Sequence, residues 1–222
     1  MVNKLTVDGI LFDLDGTLIN TVECVEIHWR KLCKKYNVDA DELLKYCHGV
    51  QTIQVLRTFF PKELATTETV RELEDVVMND LNGVYVVPGG RELLQKLDPS
   101  TWGIVTSGTA AMASKRLNQM NLPIPRCYLT ADITTKSKPD PEGYARGAEL
   151  LGFKPKNCLV FEDAIAGVKA GVAAGCTVIG ITSAYTREQL IEAGAAFCIT
   201  DYTELEVTLE NRKIVVSLKE QK

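Results

Sequence analysis

The chain has 222 residues, of which 45% are hydrophobic and 24% are charged, a composition typical of an ordinary globular protein. Its net charge of −4 and its pI of about 5.4 exclude a general electrostatic attraction to nucleic acids or to anionic membranes. We therefore expect no nucleic-acid partner, and an anionic substrate needs positive charge that the protein places locally.

The sequence also argues against a membrane partner and against disulfide bonds. No apolar run approaches the ~18 residues of a membrane span, and the first strand-like run is too short for a signal peptide. The seven cysteines are scattered and form no CxxC pair, which argues against a disulfide framework and a thiolate zinc site. We expect a cytoplasmic protein that acts as a monomer.

An apolar run at residues 9–15 predicts a buried strand, and the stretch after it shows helical spacing only. Asp39 is a suitable N-cap for the second helix of this stretch, and Pro61 closes the third. A purely helical insert after the first strand predicts a cap over residues 20–86, and Pro88 with two glycines marks the return to the core. The predicted cap helices span residues 22–36, 41–47, 52–60 and 66–81.

From residue 84 onward, strand-like apolar runs alternate with helix-like segments. Strands that are apolar throughout and joined by helices indicate a parallel sheet with helices on both faces. We therefore predict an α/β fold whose core comprises residues 1–19 and 87–222. Residues 196–200 are predicted as the last regular strand, apart from an edge strand at 214–218. The other predicted strands are 101–106, 127–130, 158–162 and 177–181, and the predicted helices are 110–120, 141–151, 164–174 and 187–193.

The segment FDLDGTL, residues 12–18, carries the strongest chemical pattern. Residues two apart at the end of a strand project to the same side, so Asp13 and Asp15 are expected to face one site. Two carboxylates so close repel each other unless a cation or a shared proton relieves them, and oxygen ligands suit Mg²⁺. With the charge relieved, one carboxylate can attack phosphorus while the other transfers a proton. A plain turn or helix cap is the alternative for such a pair.

Three further features lie at or near predicted strand ends, where ligands bind in open α/β sheets. Thr106, Ser107 and Gly108 open a helix and present hydroxyls and backbone amides, which suits an anion, although a simple N-cap has the same pattern. Lys138 follows another strand and can neutralise phosphoryl charge, the alternative being an ordinary surface lysine. Glu162-Asp163 ends a buried strand; a metal site explains this pair, and so does a helix N-cap.

The break between two predicted cap helices contains His48, Gly49 and Gln51. A loop at this place can reach into the site and select the substrate, or it can be an ordinary connection between helices. Tyr144, which follows the lysine motif, is expected to contribute helix packing.

These residues resemble the four motifs of the haloacid-dehalogenase-like superfamily, in the same order along the chain. The resemblance implies a Rossmann-like parallel-sheet core with an inserted all-helical cap. It also implies that Asp13 is a nucleophile that forms an aspartyl-phosphate. Asp15 would be the general acid and base and would give a backbone carbonyl to Mg²⁺. The remaining roles implied are a phosphoryl site at Thr106, Ser107 and Lys138, and a metal site completed by Glu162 and Asp163.

A narrower resemblance is carried by the segments HGVQTIQVLRTFFPK, SKPDPEGYARG and VFEDAIAGVKAGVAAGC. They are similar to the fungal 2-deoxyglucose-6-phosphate and glycerol phosphatases and to bacterial sugar phosphatases, which implies a small sugar or polyol phosphate as substrate. Gln51 stands where that subgroup has an arginine, which puts the substrate preference in doubt.

Two other functions remain open at this point. A β-phosphoglucomutase-like isomerase shares the motifs. The sequences of such mutases, however, resemble DGV where this chain has Asp15-Gly16-Thr17, with a histidine further along the first cap helix and an arginine in the cap loop. Here Thr17, Val25 and Thr52 occupy those positions, which favours hydrolysis. A catalytically idle binding protein of the same fold is the second alternative, although every catalytic motif position is intact.

Overall fold

The structure is a computed structural model that describes residues 4–219. The strands are β1 Leu5–Val7, β2 Gly9–Phe12, β3 Ile19–Asn20, β4 Tyr85–Val86, β5 Trp102–Val105, β6 Cys127–Leu129, β7 Cys158–Glu162, β8 Thr177–Ile181, β9 Phe197–Ile199, β10 Leu205–Glu210 and β11 Lys213–Leu218. The α-helices are α1 Val22–Tyr36, α2 Ala40–Cys47, α3 Thr52–Phe59, α4 Thr67–Asn79, α5 Gly90–Lys96, α6 Ala110–Gln119, α7 Glu142–Leu150, α8 Ile165–Ala174 and α9 Arg187–Ala193.

A six-stranded sheet in the order β6-β5-β2-β7-β8-β9 forms the centre of the fold. Every pairing in this sheet is parallel, which confirms the predicted α/β class. The chain starts at β2 in the middle, builds β5 and β6 to one side, and then returns to build β7, β8 and β9 on the other. This reversal places the carboxyl end of β2 in the crevice where such sheets bind ligands.

Alternation along β2 supplies both faces of the sheet with apolar side chains. Ile10 and Phe12 belong to one buried cluster, whereas Leu11 belongs to the cluster on the opposite side. The Phe12 ring stacks on that of Phe161 at a centroid distance of 5.3 Å, and the Tyr202 ring meets Phe161 edge to face at 5.2 Å. This aromatic layer packs directly beneath the residues that follow β2 and β7.

Helices α1–α4 lie within residues 20–86, the segment predicted as a cap, and share an apolar cluster of their own, which includes Leu43, Val55 and Leu56. Asp39 caps α2 as predicted, because its carboxylate accepts hydrogen bonds from the backbone N–H groups of residues 41 and 42. Helix α4 ends at Asn79, two residues earlier than predicted. The Asp80 carboxylate accepts hydrogen bonds from Asn82 and so favours a turn at this point.

A small antiparallel sheet in the order β1-β11-β10 corrects the sequence prediction. Residues 196–200 are not the last regular strand, because β10 and β11 form a hairpin whose turn has Asn211 and Arg212 at positive φ. Strand β10 was not predicted because it lies at the edge of the sheet and exposes most of its side chains, so it lacks a buried run.

Helix α5 and the short β3–β4 pair were also not predicted. Residues 220–222 of the predicted charged end lie outside the described part of the chain.

Within residues 4–219, no helix is both long enough and apolar enough to cross a membrane. The seven cysteines are buried free thiols. Burial raises the pKa of the Cys47 thiol to about 12 and those of Cys127 and Cys176 to about 11. They therefore behave as small core residues rather than as reactive nucleophiles.

We predict that Phe161→Ala lowers the free energy of unfolding by about 3–5 kcal/mol, because it leaves a cavity in the aromatic layer. Urea unfolding followed by circular dichroism measures this change. Leu209→Ala is the matched control, since Leu209 is 60% exposed and its truncation should cost no more than about 0.5 kcal/mol. Equal losses in the two variants would contradict the role given to this layer.

Candidate active site

The carboxyl ends of β2, β5 and β7 meet at one edge of the central sheet. Asp13 follows β2 and Thr106 follows β5. Glu162 is the last residue of β7, and Asp163 follows it. All four side chains are buried. The sequence motifs are thus brought to a single place by the parallel sheet, although they are separated by up to 150 residues along the chain.

Lys138 connects two of the acids. Its Nζ lies 2.5 Å from Asp13 Oδ1 and 2.6 Å from Glu162 Oε1, and it also donates to the Val105 carbonyl at 3.1 Å. Burial alone would lower the pKa of this lysine, but the two carboxylates outweigh burial and raise it. Lys138 is therefore a permanently charged ammonium inside the site, rather than the surface lysine of the alternative interpretation.

Glu162 has both carboxylate oxygens engaged by protein groups. Oε1 accepts from Lys138 and from the Tyr144 hydroxyl at 2.8 Å, and Oε2 accepts from the Ala164 backbone N–H at 3.0 Å. Gly167 passes so close that a Cβ atom there would collide with this carboxylate. These contacts fit a residue that positions Lys138. Tyr144, expected to provide helix packing only, is a fully buried hydrogen-bond partner of this network.

Asp163 is held by hydroxyl groups from two other loops. Thr17 Oγ1 donates to Oδ1 at 3.1 Å, and Ser183 Oγ lies 3.2 Å from Oδ2. Gly16 adopts φ +83°, and a Cβ atom at that position would collide with the Asp163 carboxylate. The glycine of the DxDGT motif is therefore required both for the left-handed turn and for the close approach of the two loops.

The Asp15 side chain lines the same cavity as Asp13, but its carboxylate does not join the cluster of the other acids. Strand β2 ends at Phe12, so the two-residue alternation of a strand no longer applies at Asp15. Its carboxylate instead accepts a hydrogen bond from Thr21 Oγ1 at 3.0 Å, at the entrance to the cap. Among the described residues, the carboxylate oxygens grouped within 4.8 Å come from Asp13, Glu162 and Asp163, without Asp15.

The site carries an excess of buried negative charge. Burial raises the pKa of Asp13, with further increases from Glu162 and Asp15, while Lys138 opposes them. Burial likewise raises the pKa of Asp163, again with contributions from Asp13 and Glu162. Only one ammonium group offsets the charge of these carboxylates, so they repel each other. A hard divalent cation, which prefers oxygen ligands, would relieve this repulsion.

The loop after β5 presents donors to the same cavity. The Gly108 backbone N–H points back to Thr106 Oγ1 at 3.1 Å, and Ser107 Oγ donates to the Gly49 carbonyl of the cap at 2.7 Å. Thr109 is the N-cap of α6 and accepts from the Met112 backbone N–H. The N-cap alternative thus holds for Thr109, while Thr106, Ser107 and Gly108 line the cavity.

The cap loop reaches the site through two of its three predicted residues. His48 and Gly49 line the cavity with Asp13 and Asp15, and Gly49 adopts φ +74° against Ala164 of the core. His48 Nε2 lies 3.1 Å from Glu26 Oε1, and burial lowers the pKa of this histidine. Gln51 is not among the residues that line this cavity, and its amide lies 3.4 Å from Thr134 Oγ1.

Two buried charged residues of the cap–core contact were not identified from the sequence. Glu74 of α4 lines the cavity, and its burial raises its pKa. Arg116 of α6 is fully buried and donates to the carbonyls of Val77 and Asp80 at the end of α4. An acid on the buried stripe formed with Val70 and Met78 is the signal that could have identified Glu74.

The fold and the site together define an α/β protein with a cluster of buried acids at the switch point of its parallel sheet and a helical segment beside that cluster. The chain belongs to the haloacid dehalogenase-like hydrolase family, whose sequence model matches residues 10–181.

Two relatives and one solved structure show how close these similarities are. The chain is 38% identical to 2-deoxyglucose-6-phosphate phosphatase 1 of Saccharomyces cerevisiae, over 96% of this chain and 95% of that protein. It is 37% identical to hexitol phosphatase A of Escherichia coli, over 83% and 87% of the two chains. A hydrolase from Pseudomonas syringae superposes with a TM-score of 0.74 at 27% identity, over 88% of this chain and 94% of that one.

We predict that Lys138→Met lowers the free energy of unfolding by about 3–5 kcal/mol, because Asp13 and Glu162 lose a buried ionic partner. Chemical denaturation at neutral pH measures the loss. Lys136→Met is the control, since the side chain of Lys136 is 67% exposed and its ion pair with Asp140 contributes at most about 1 kcal/mol. A Lys138 variant as stable as wild type would show that the ammonium does not hold the acids together.

Proposed function

We propose that the protein is a Mg²⁺-dependent phosphatase that hydrolyses a small sugar or polyol phosphate through an aspartyl-phosphate on Asp13. The observation that carries this proposal is the buried Asp13 carboxylate, which is fixed by Lys138 beside a second acid, Asp163, at the switch point of the sheet. The names of the yeast and bacterial relatives support the class of substrate.

Asp13 is arranged to act as a nucleophile. Lys138 binds Oδ1, and among the hydrogen bonds of residues 4–219 none is made to Oδ2, which leaves that oxygen available to attack phosphorus. The attack forms the Oδ–P bond and breaks the bond between phosphorus and the ester oxygen. The Lys138 ammonium offsets the charge that develops on the phosphoryl oxygens, and the hydroxyls of Thr106 and Ser107 can donate to these oxygens once Ser107 releases the Gly49 carbonyl.

Asp15 is arranged to transfer the proton. Its carboxyl group is oriented by Thr21 and lines the cavity with Asp13, where the leaving group would lie. Burial raises its pKa, which favours the protonated form needed to protonate the leaving oxygen. After the alcohol leaves, the same carboxylate can remove a proton from the water that attacks the aspartyl-phosphate.

The Mg²⁺ ion would be held by the carboxylates of Asp13 and Asp163 and by the backbone carbonyl of Asp15. When bound, it would reduce the negative charge of the phosphoryl group and so favour attack by a carboxylate. We assign Glu162 to the positioning of Lys138, because its oxygens are bonded to Lys138, Tyr144 and the backbone at residue 164. Thr17 and Ser183 orient Asp163.

Hydrolysis is favoured over phosphosugar isomerisation by the walls of the cavity. A mutase has to bind a second phosphate group. Val25 and Thr52 line the cavity at the two positions where the sequences of β-phosphoglucomutase-like enzymes have a histidine and an arginine. Neither side chain can neutralise a second phosphate. An idle binding protein would not need a fully assembled set of catalytic acids.

We further propose that residues 20–86 act as a cap that closes over the substrate and excludes bulk water. Contacts that can open with the cap include Ser107 with Gly49, and Tyr185 with the Lys45 carbonyl at 2.9 Å. The expected setting is a cytoplasmic monomer that acts on a small phosphorylated metabolite.

We predict that Asp13→Asn abolishes turnover of p-nitrophenyl phosphate in the presence of Mg²⁺, because an amide is a poor nucleophile. Release of p-nitrophenol measures the activity, and thermal unfolding checks that the variant folds. Asp75→Asn, at an exposed position on α4, is the control and should keep wild-type activity. Near-native activity of Asp13→Asn at matched purity would exclude Asp13 as the nucleophile.

A further inference from the structure

Two adjoining cavities lie beneath the cap. The first, of about 90 Å³, contains the catalytic acids, and the second, of about 290 Å³, lies between α1 and α4. The first has little room beyond a phosphoryl group, so the organic part of a sugar or polyol phosphate has to extend toward the second. The residues that line both cavities are Val25, Trp29, Thr52, Glu74 and Met112.

Glu74 is the acid at the boundary between the two cavities. It is 5% exposed, although it belongs to a cap helix whose other acids, such as Glu72 and Asp75, are exposed. One carboxylate oxygen accepts from Thr52 Oγ1 of the cap at 3.3 Å, and the other accepts from Thr109 Oγ1 of the core. Each oxygen of Glu74 is therefore directed at a hydroxyl group.

We propose that Glu74 determines specificity by accepting hydrogen bonds from hydroxyl groups of the substrate's leaving group, so that the preferred substrates are polyhydroxylated, otherwise uncharged phosphate monoesters. This inference rests on the proposed phosphatase function. Each carboxylate oxygen can accept a second hydrogen bond beside the one from Thr52 or Thr109, so Glu74 keeps acceptor capacity for substrate hydroxyls.

The chemistry of a carboxylate supports this choice of ligand. An ionised carboxylate accepts hydrogen bonds and donates none, so it pairs with alcohols, and its charge repels a second anion. Substrates that carry a carboxylate or a second phosphate beyond the ester are therefore disfavoured at this boundary.

The walls of the second cavity suit the carbon skeleton of such a substrate. Trp29, Leu32, Leu73 and Val77 provide apolar surface against which the C–H groups of a sugar or polyol can pack. The exposed Lys31 and Lys35 line the same cavity. One face of the leaving group would thus contact apolar side chains while its hydroxyls reach Glu74. This combination distinguishes a polyol from a small acid of similar length.

Glu74 also connects the cap to the core through Thr109, so a purely structural role has to be separated from recognition. A residue that only holds the cap closed affects every phosphate ester to a similar extent. A residue that recognises hydroxyls affects esters that carry them and leaves an ester without them nearly unchanged. The substrate p-nitrophenyl phosphate has no hydroxyl on its leaving group and therefore serves as the internal reference.

The experiment compares kcat/KM of wild type, Glu74→Gln and Glu72→Gln on glucitol 6-phosphate, p-nitrophenyl phosphate and phosphoglycolate. For Glu74→Gln we expect a loss of roughly 10–100-fold on glucitol 6-phosphate, the effect of weakening hydrogen bonds to a charged acceptor. Its activity on p-nitrophenyl phosphate should stay within about threefold of wild type, since no such bond is made to that ester. Glu72→Gln, at an exposed position on the same helix, should match wild type on all three esters.

With phosphoglycolate we expect the kcat/KM of Glu74→Gln to increase, a change that partial unfolding of the variant cannot produce. The leaving group of this ester carries a carboxylate, so removing the charge of Glu74 should raise kcat/KM by roughly tenfold, as expected for relief of a like-charge contact. Equal losses on all esters, or an unchanged preference for glucitol 6-phosphate, would overturn the role of Glu74 while leaving the phosphatase function intact. A wild-type protein that hydrolyses none of the three esters would instead contradict the phosphatase function and, with it, this inference.

Discussion

The ion pair of Lys138 with Asp13 and Glu162 is the interaction on which the rest of the site depends. Several acids are buried at one sheet edge, and uncompensated buried charge is costly. One ammonium, 2.5 Å from Asp13 and 2.6 Å from Glu162, offsets part of that charge and fixes the direction of Asp13. Burial, and after it the neighbouring carboxylates, raise the pKa values of Asp13 and Asp163, and the remaining negative charge explains why a divalent cation suits the site.

In the proposed function, the cap and the core have different tasks. The core residues would contact the phosphoryl group, which is the part that all phosphate monoesters share. The leaving group would extend toward the cap, where Val25, Trp29 and Glu74 line both cavities. Arg116 donates to two carbonyls at the end of α4, so the helix that carries Glu74 is anchored to the core. Catalysis and selection would thus be carried by separate elements that meet at one cavity.

Much of this arrangement could be predicted from the sequence, because strand ends in a parallel sheet share an edge and because buried runs identify the strands. The positions of Asp13, Thr106 and Asp163 follow from that rule alone. The sequence did not reveal that the Asp15 carboxylate bonds Thr21 instead of joining the other acids, since strand β2 ends three residues before it. Tyr144 and Ser183 act through tertiary contacts that no local pattern reveals. Strand β10 lacked a buried run, and its pairing with β11 depends on the hairpin.

We propose that the acids at this sheet edge bind a single hard cation beside a nucleophilic Asp13. Isothermal titration calorimetry with MgCl₂ on the full chain measures this binding without any assumption about the substrate. We expect one Mg²⁺ site in the wild-type protein and its loss in Asp163→Asn, with Asp75→Asn unchanged. Wild-type protein that binds no Mg²⁺, or an Asp163→Asn variant that binds it as well as wild type, would show that these acids do not form a cation site.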